Sequence, residues 1–308
     1  MFHFVVNPVS RSGKGLKIWK KKIEPVLRRN GVAHTVSFSE NRGDVSGICR
    51  ELSEKSAAEE NCVIVVLGGD GTLNDALQGI VDFERTTLAY IPTGSSNDFA
   101  RDMKIPKSVK KSLRRILSLE NPILIDVGEV STASRVRRFA VSAGLGFDAA
   151  VCCGAMHSRV KKTLNKFGLG KLTYLAIAIG QAFGAPKSDC IVELDDGRKI
   201  KMNGFFFAAS MVHRFEGGGF KFCPSADCSD GTMNMCAVHG KSPLGILIAL
   251  PFAFFGLHGM FRGIDLLEFK TARLTATVPL WLHTDGEVWQ KASEISVRTF
   301  PQKLRIIL

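Results

Sequence analysis

Two short stretches carry most of the chemistry available in the first half of the chain. Gly68-Gly69-Asp70-Gly71-Thr72 follows the apolar run 63–67, and Pro92-Thr93-Gly94-Ser95-Ser96-Asn97-Asp98 follows a second run, 88–91. Gly68, Gly69 and Gly71 lack β-carbons, so backbone can approach a bulky ligand there and peptide N–H groups can point at an anion. Asp70 and Thr72 are the side chains left in that turn to act. Leu73, Ala76, Leu77 and Ile80 repeat at helical spacing, so the first loop feeds a helix whose N-terminus favours phosphate. Two strand-loop-helix units of this kind place both loops at the carboxyl edge of one parallel sheet, where open α/β sheets bind their ligands.

The composition admits an anionic partner. Lys and Arg number 41 against 29 Asp and Glu, a formal charge of +12, which suits nucleotide, nucleic acid or an acidic lipid surface. The basic patches lack interleaved aromatics and no nucleic-acid motif is present, which argues against RNA or DNA. The eight cysteines show no C-x-x-C spacing and read as reduced thiols of a cytoplasmic protein, without a zinc site. No basic-then-apolar signal precedes the strand-like start FHFVV. Residues 244–260 are almost uncharged but shorter than the roughly 20 residues of a spanning helix, and Pro251 interrupts them; they read as a buried helix or the wall of an apolar pocket.

The elements that must position the two loops alternate. Strands are expected at 2–6, 34–38, 63–67, 88–91 and 123–127, with helices from Leu16 to Arg29 (kinked at Pro25), from Asp44, after Thr72 and over 107–119. The basic segment 9–15 reads as a flexible, phosphate-contacting turn that is not a Walker A loop. Lys14 and Arg101 are candidate phosphate cations, equally at home in solvent. The 107–119 helix carries its cations on a solvated face. Past Asp126 strand-like runs succeed one another (139–143, 190–194, 205–210, 233–238, 273–278, 295–299), with a hairpin at Asp195-Asp196-Gly197 and helical insertions near 157–167, 172–182 and 244–255. The fold class is therefore an N-terminal parallel α/β domain, 1–126, followed by a mainly antiparallel β domain, 127–299, with 300–308 returning to the first.

With Asn7-Pro8, Gly68-Gly69-Asp70-Gly71-Thr72 and Asn97-Asp98-Phe99-Ala100-Arg101 in hand, the chain resembles the diacylglycerol kinase catalytic-domain family, above all its soluble bacterial lipid kinases. The likeness continues through Gly144-Leu145-Gly146-Phe147-Asp148, Pro224 to Asp230-Gly231, and Asp285-Gly286-Glu287. It implies a nucleotide-binding α/β domain, a β-sandwich domain, and an active site in the cleft between them. It further implies ATP and Mg2+ as cofactors and a lipid alcohol, foremost diacylglycerol, as acceptor, met at an anionic membrane surface. By the same resemblance Asn7, Ser39, Gly68, Gly69, Asp70, Gly71, Thr72 and Ser95 contact the nucleotide, and Asn97 completes that set. Asp285 is the general base, with Glu287 beside it. Asp227, Asp230 and Thr232 hold a structural divalent ion, and Asp98 and Asp126 join Asp70 around magnesium through water. Ser210-Met211-Val212-His213 departs from the family's Asn-containing turn, which puts lipid selectivity in question.

Read from the residues alone, each choice has a plainer alternative. Asp285-Gly286 is a hairpin signal. Asp227 and Asp230 can decorate a polar loop, Asp98 can cap a helix and Asp126 a strand end. His213 and Glu216 stand at helical spacing, but Gly217, Gly218 and Gly219 argue against a helix there and so against a metal pair. An NAD-kinase relative and a non-catalytic nucleotide- or lipid-binding module stay open as rivals, as does the oligomeric state, a homodimer included.

Overall fold

The computed structural model describes residues 1–55, 62–119, 122–157 and 188–308, with 180, 184 and 186. Its contacts divide the chain into Met1–Val127 with Phe300–Leu308, and Gly128–Thr299.

The first unit is built on β1 (Phe2–Val6), β2 (His34–Phe38), β3 (Cys62–Gly68), β4 (Thr86–Pro92) and β5 (Ile123–Ile125). The C-terminal strand Leu304–Ile307 enters between β4 and β5, so the sheet runs β2-β1-β3-β4-(304–307)-β5. It pairs parallel with β4 and antiparallel with β5. Every residue of β3 is buried, as expected for a central parallel strand covered on both faces. Covering it are α1 (Ser10–Ile18), α2 (Glu24–Arg29), α3 (Asp44–Lys55), α4 (Asp70–Gly79), α5 (Asp98–Asp102) and α6 (Val109–Ser118).

Two expectations need correction here. Segment 9–15 is not a free turn: the chain becomes helical at Ser10, although φ values of +46° at Arg11 and +87° at Gly13 leave that first turn irregular. Nor does Pro25 alone bend the long helix. Between α1 and α2 the turn Trp19–Ile23 is a π-helix in which Glu24 N–H donates to Trp19 O. Proline has no N–H to give, and the wider turn absorbs that loss just before it. In α6, Leu113 and Ile116 are buried while Lys110, Lys111, Arg114 and Arg115 are exposed, the solvated cationic face anticipated above.

The second unit is an antiparallel sheet of nine strands: β6 (Gly128–Ser131), β7 (Val136–Phe139), β8 (Ser142–Gly146), β9 (Ser188–Leu194), β10 (Lys199–Met211), β11 (Met233–His239), β12 (Ile264–Phe269), β13 (Thr271–Thr284) and β14 (Glu287–Thr299). β8 and β9 occupy the same slot end to end: each pairs with both β10 and β13, and register shifts at Phe205/Phe207 and Thr275/Leu280 mark the change of partner. The sheet runs from β12 to β7, and one of its apolar clusters takes alternate residues such as Cys190, Val192, Leu194, Ala272, Leu274 and Ala276. The expected single strand at 139–143 is two, broken at Ala140 and Val141, whose backbone amides donate to Asp285. The insertions expected within 158–179 lie outside the described residues. Among the described residues the unit also carries helices α7 (Phe147–His157) and α8 (Pro243–Ala253). Among the described residues, no helix is long and apolar enough to cross a membrane.

Candidate active site

In the first sheet the chain steps from β1 outward to β2 and returns on the other side to β3, so the strand order reverses between β1 and β3. A crevice at the carboxyl ends of strands is expected at such a switch point. Asn7 lies just past β1, and its Nδ2 donates to Thr72 Oγ1 at 3.1 Å; its Oδ1 is buried and has no partner among the described residues. The two glycine loops touch: a β-carbon on Gly94 would stand 2.6 Å from Gly69 Cα and 2.7 Å from Asn97 Oδ1. A β-carbon on Gly68 would run into Thr72. The glycines thus serve this close approach before they serve any ligand.

Asn97 takes a left-handed backbone, φ +50°, which Asn tolerates better than most residues. Its Nδ2 donates to Gly94 O at 3.0 Å, so the side chain folds the second loop back on itself. Ser95 stands exposed at the tip, whereas Ser39 is buried at the end of β2, its N–H donating to Val6 O. Asp70 opens α4, and its Oδ2 accepts the Asp98 N–H at 2.9 Å, which brings two carboxylate-bearing residues together at the loops. Their negative field reaches Tyr90: burial first, then Asp70 and Asp98, push its phenol well above its ordinary pKa, so it stays a donor to Gly68 O at 3.2 Å. Arg101 Nε lies 3.5 Å from Asp98 Oδ1, and Lys14 is exposed on α1.

Among the described residues Asp126 forms no direct three-residue ligand cluster with Asp70 and Asp98. It is buried, and Lys303 Nζ sits 3.0 Å from its Oδ1, supplied by the segment that leads into the C-terminal strand. A carboxylate so neutralised is the anchor of a returning chain end rather than a ready metal ligand. Asp227 and Asp230 each turn Oδ1 inward on an exposed loop, toward the backbone N–H and hydroxyl of Ser229 and of Thr232 respectively. These are local loop-closing bonds, and among the described residues neither aspartate falls in a cluster of three or more ligating side chains.

Asp285 takes the hairpin position that its Asp-Gly pair signals. Asp285 and Gly286, at φ +49° and +81°, form the two-residue turn between β13 and β14, where Thr284 pairs with Glu287. The Asp285 carboxylate accepts three backbone amides at the break between β7 and β8: Ala140 at 2.8 Å, Val141 at 2.7 Å and Ser142 at 2.9 Å. These donors use three of the roughly four acceptor positions a carboxylate offers, and they fix its plane. Glu287, at the start of β14, is half-buried.

One group was not legible as a site. His283 is fully buried, and its Nε2 lies 3.1 Å from Asp148 Oδ2 and 3.2 Å from Glu216 Oε1. Gly144 makes room for it, since a β-carbon there would collide with both Asp148 and His283. The three ligand atoms lie within 4.8 Å of one another, a spacing able to hold a cation. Yet Gly286 N–H donates to His283 Nδ1 at 3.1 Å, which places the ring proton on Nε2, in the direction a metal would need. The Nε2 proton therefore lies between the two carboxylates, and Glu216 Oε2 is buried without a partner among the described residues. Burial raises the Asp148 pKa above its ordinary 3.8. For His283 burial acts the other way and is outweighed by the negative charge of Cys152 and the hydrogen bonds to Asp148 and Glu216, so its pKa too is raised. A second ring proton would have to displace the Gly286 bond, so the protonation of this trio is tied to the turn that carries Asp285. The signal in the sequence was thin: Glu216 reaches the site from a loop closed by mutual backbone bonds with Phe220, with no helix, as the glycines required.

Similarity to known proteins agrees with this arrangement. Residues 1–130 match the diacylglycerol kinase catalytic domain, and residues 141–308 match the YegS C-terminal NAD kinase beta sandwich-like domain. The chain is 27% identical over 312 residues to "Putative lipid kinase YtlR" of Bacillus subtilis (strain 168), with 98% of each covered. It is 26% identical over 270 residues to "Diacylglycerol kinase" of Mycobacterium tuberculosis (strain ATCC 25618 / H37Rv), covering 87% of this chain and 81% of that one. A crystal structure of a diacylglycerol kinase from Bacillus anthracis str. Sterne superposes with a TM-score of 0.74 at 19% identity, over 99% of this chain and 96% of that one. An NAD kinase from Archaeoglobus fulgidus in complex with ATP shares the fold more distantly, TM-score 0.51 at 14% identity, over 100% and 94%. Two domain models thus match residues 1–130 and 141–308, and the chain belongs to the family of diacylglycerol kinase catalytic-domain proteins with a YegS-type C-terminal domain.

Proposed function

We propose that the protein is an ATP- and Mg2+-dependent lipid kinase that transfers a γ-phosphoryl group to a hydroxyl of a membrane lipid, with diacylglycerol the first acceptor to test. The observation that carries this reading is the contact of the two glycine loops beside the β1/β3 switch point, together with membership of the kinase family. Phosphoryl transfer demands positioning and neutralisation of charge more than covalent help from the protein. Loops free of β-carbons let backbone approach the phosphates, and the N-terminus of α4 favours their charge. Asn7 Oδ1, buried and unpaired, is set to accept from a nucleotide donor. Ser95, Ser39 and Thr72 supply hydroxyls around the same loops.

Asp70 and Asp98, adjacent at those loops, fit a magnesium ion held directly or through water; the ion would offset negative charge on the phosphates. Asp126, paired with Lys303, would join them through water. Asp227, Asp230 and Thr232 remain the proposed place of a structural divalent ion. Asp285 accepts the proton of the lipid hydroxyl, with Glu287 next in line. The three amides that hold its carboxylate favour orientation over basicity, which suits a reaction whose transition state needs the attacking oxygen in line. The work is done at an anionic membrane surface, drawn there by the net charge of +12.

The test is transfer of labelled γ-phosphate from Mg·ATP into a chloroform-extractable product, with a panel of lipid alcohols in anionic micelles. Label in one lipid supports the reading. Label confined to water-soluble product with a dinucleotide acceptor would replace it with an NAD-kinase activity, and nucleotide binding without transfer would leave a binding module.

Gly94→Ala gives an independent check on the loops. The new methyl has to displace the Gly69 backbone or Asn97, a strain of about 1–3 kcal/mol that falls on the loop contact. Affinity for ATP, read by titration calorimetry, is expected to drop roughly ten- to a hundredfold while the unfolding of the second unit stays unchanged. Unaltered ATP affinity would show that the nucleotide binds elsewhere.

A further inference from the structure

The segment 244–260 was expected to be buried, and only half of it is. On α8, Ile246, Ala249 and Ala253 face inward, the first two within an apolar cluster with Met211, Cys223 and Val238. Leu244, Ile248 and Phe252, spaced four residues apart and thus on the opposite face, are 64%, 54% and 39% exposed. The chain after the helix continues the same texture, with Phe255 at 75%, Leu257 at 56% and Met260 at 74%. Large apolar residues exposed singly mean little, but six within seventeen positions, on one helix and the turn that follows it, form a patch of the kind that marks an interaction surface.

The rim of this patch carries one sign of charge. No Asp or Glu occurs from residue 231 to 264. Lys241 Nζ lies 5.6 Å from the Phe261 ring centroid, Arg262 is exposed one residue on, and the Lys221 side chain reaches the backbone at Gly256. We propose that α8 and the turn 254–262 form the membrane-docking surface, lying in the interface of a lipid bilayer with anionic headgroups. The apolar side chains enter the acyl boundary, and Lys221, Lys241 and Arg262 reach back to the phosphates, their aliphatic stems along the apolar face. The phenylalanines suit that depth. A second copy of the chain is the poorer occupant, because a two-fold contact would bring the same cationic rims together.

This inference deepens the lipid-kinase reading and rests on it for its purpose, but docking is measured without catalysis. Nucleotide-free protein is floated with vesicles of phosphatidylglycerol and phosphatidylcholine, and the double variant Phe255→Glu with Met260→Glu is compared with wild type. Both side chains are exposed, so a native circular-dichroism spectrum and unfolding midpoint are expected. The variant should lose at least tenfold in partition onto the anionic vesicles while still phosphorylating a monomeric short-chain lipid at the wild-type rate. Lys221→Gln with Arg262→Gln, which leaves the apolar face intact, should flatten the dependence on phosphatidylglycerol content. Wild-type flotation by the Glu variant overturns the proposal, as does failure of the wild type to bind. A wild-type dimer in sedimentation that the same substitutions dissociate also overturns it and assigns the patch to self-association. If vesicle binding is lost in the variant but no lipid is ever phosphorylated, the docking surface stands and the kinase reading falls.

Discussion

Asp285→Asn should fail in two separable ways. As the group that takes the proton of the attacking hydroxyl, its loss is expected to lower turnover by about a hundred- to ten-thousand-fold. The same substitution turns an NH2 toward at least one of the three amides of Ala140, Val141 and Ser142, so a buried donor is left facing a donor. That costs about 1–3 kcal/mol of the second unit's stability. Glu287→Gln, an isosteric change at a half-buried position, should cost about tenfold or less in rate and little in denaturant midpoint. The deciding comparison is turnover per folded molecule alongside urea unfolding for both variants. If Glu287→Gln silences the enzyme at full stability, and the Asp285→Asn defect vanishes once unfolding is corrected for, then Glu287 is the base and Asp285 only the clamp of the turn.

The second large effect belongs to His283. Replacing it with Ala leaves Asp148 and Glu216 against one another without the ring between them, and breaking a buried charged group in this way costs about 3–5 kcal/mol. Gly286 would also lose its acceptor, so the turn bearing Asp285 should loosen. The sign of the pH dependence follows from the raised pKa values. Asp148 holds its proton above its ordinary 3.8 and His283 above its ordinary 6.5, so across that window the folded chain binds more protons than the unfolded one. The stability they contribute is fully present below the ordinary values and is lost as the pH rises through the raised ones. Unfolding free energy of wild type should therefore fall as the pH is raised above 6.5, and the slope should disappear in Asp148→Asn with Glu216→Gln. Adding His283→Ala to that double variant should then cost far less than it does alone, which a double-mutant cycle measures directly. A pH-independent wild type would remove the shared proton from this account.

What local pattern could decide, it decided well. The β-branched runs before each glycine loop, the helical spacing after them and the Asp-Gly hairpin signals are all local, so β3, β4, α4 and the β9–β10 and β13–β14 turns were readable residue by residue. The stretch 303–308 was apolar enough to read as a last strand returning to the first unit, where 304–307 enters between β4 and β5. Neutralisation was another matter. That Asp126 is paired with Lys303, 177 positions on, and that Asp285 is held by amides about 145 positions earlier, depends on where distant backbone comes to rest. The Asp148–Glu216–His283 trio is drawn from a helix, an irregular loop and a strand, and no periodicity links them. The residues of 244–260 told how apolar that stretch is, but not which side of it the core would cover: a helix with apolar residues all round carries no amphipathic signal. Its burial was settled only when α8 laid Ile246 and Ala249 on the second unit and left Leu244, Ile248 and Phe252 uncovered. Side-chain type and spacing thus determine the turns and the chemistry offered at them, while burial and charge pairing are set by long-range packing, which brings together groups that the linear order keeps far apart.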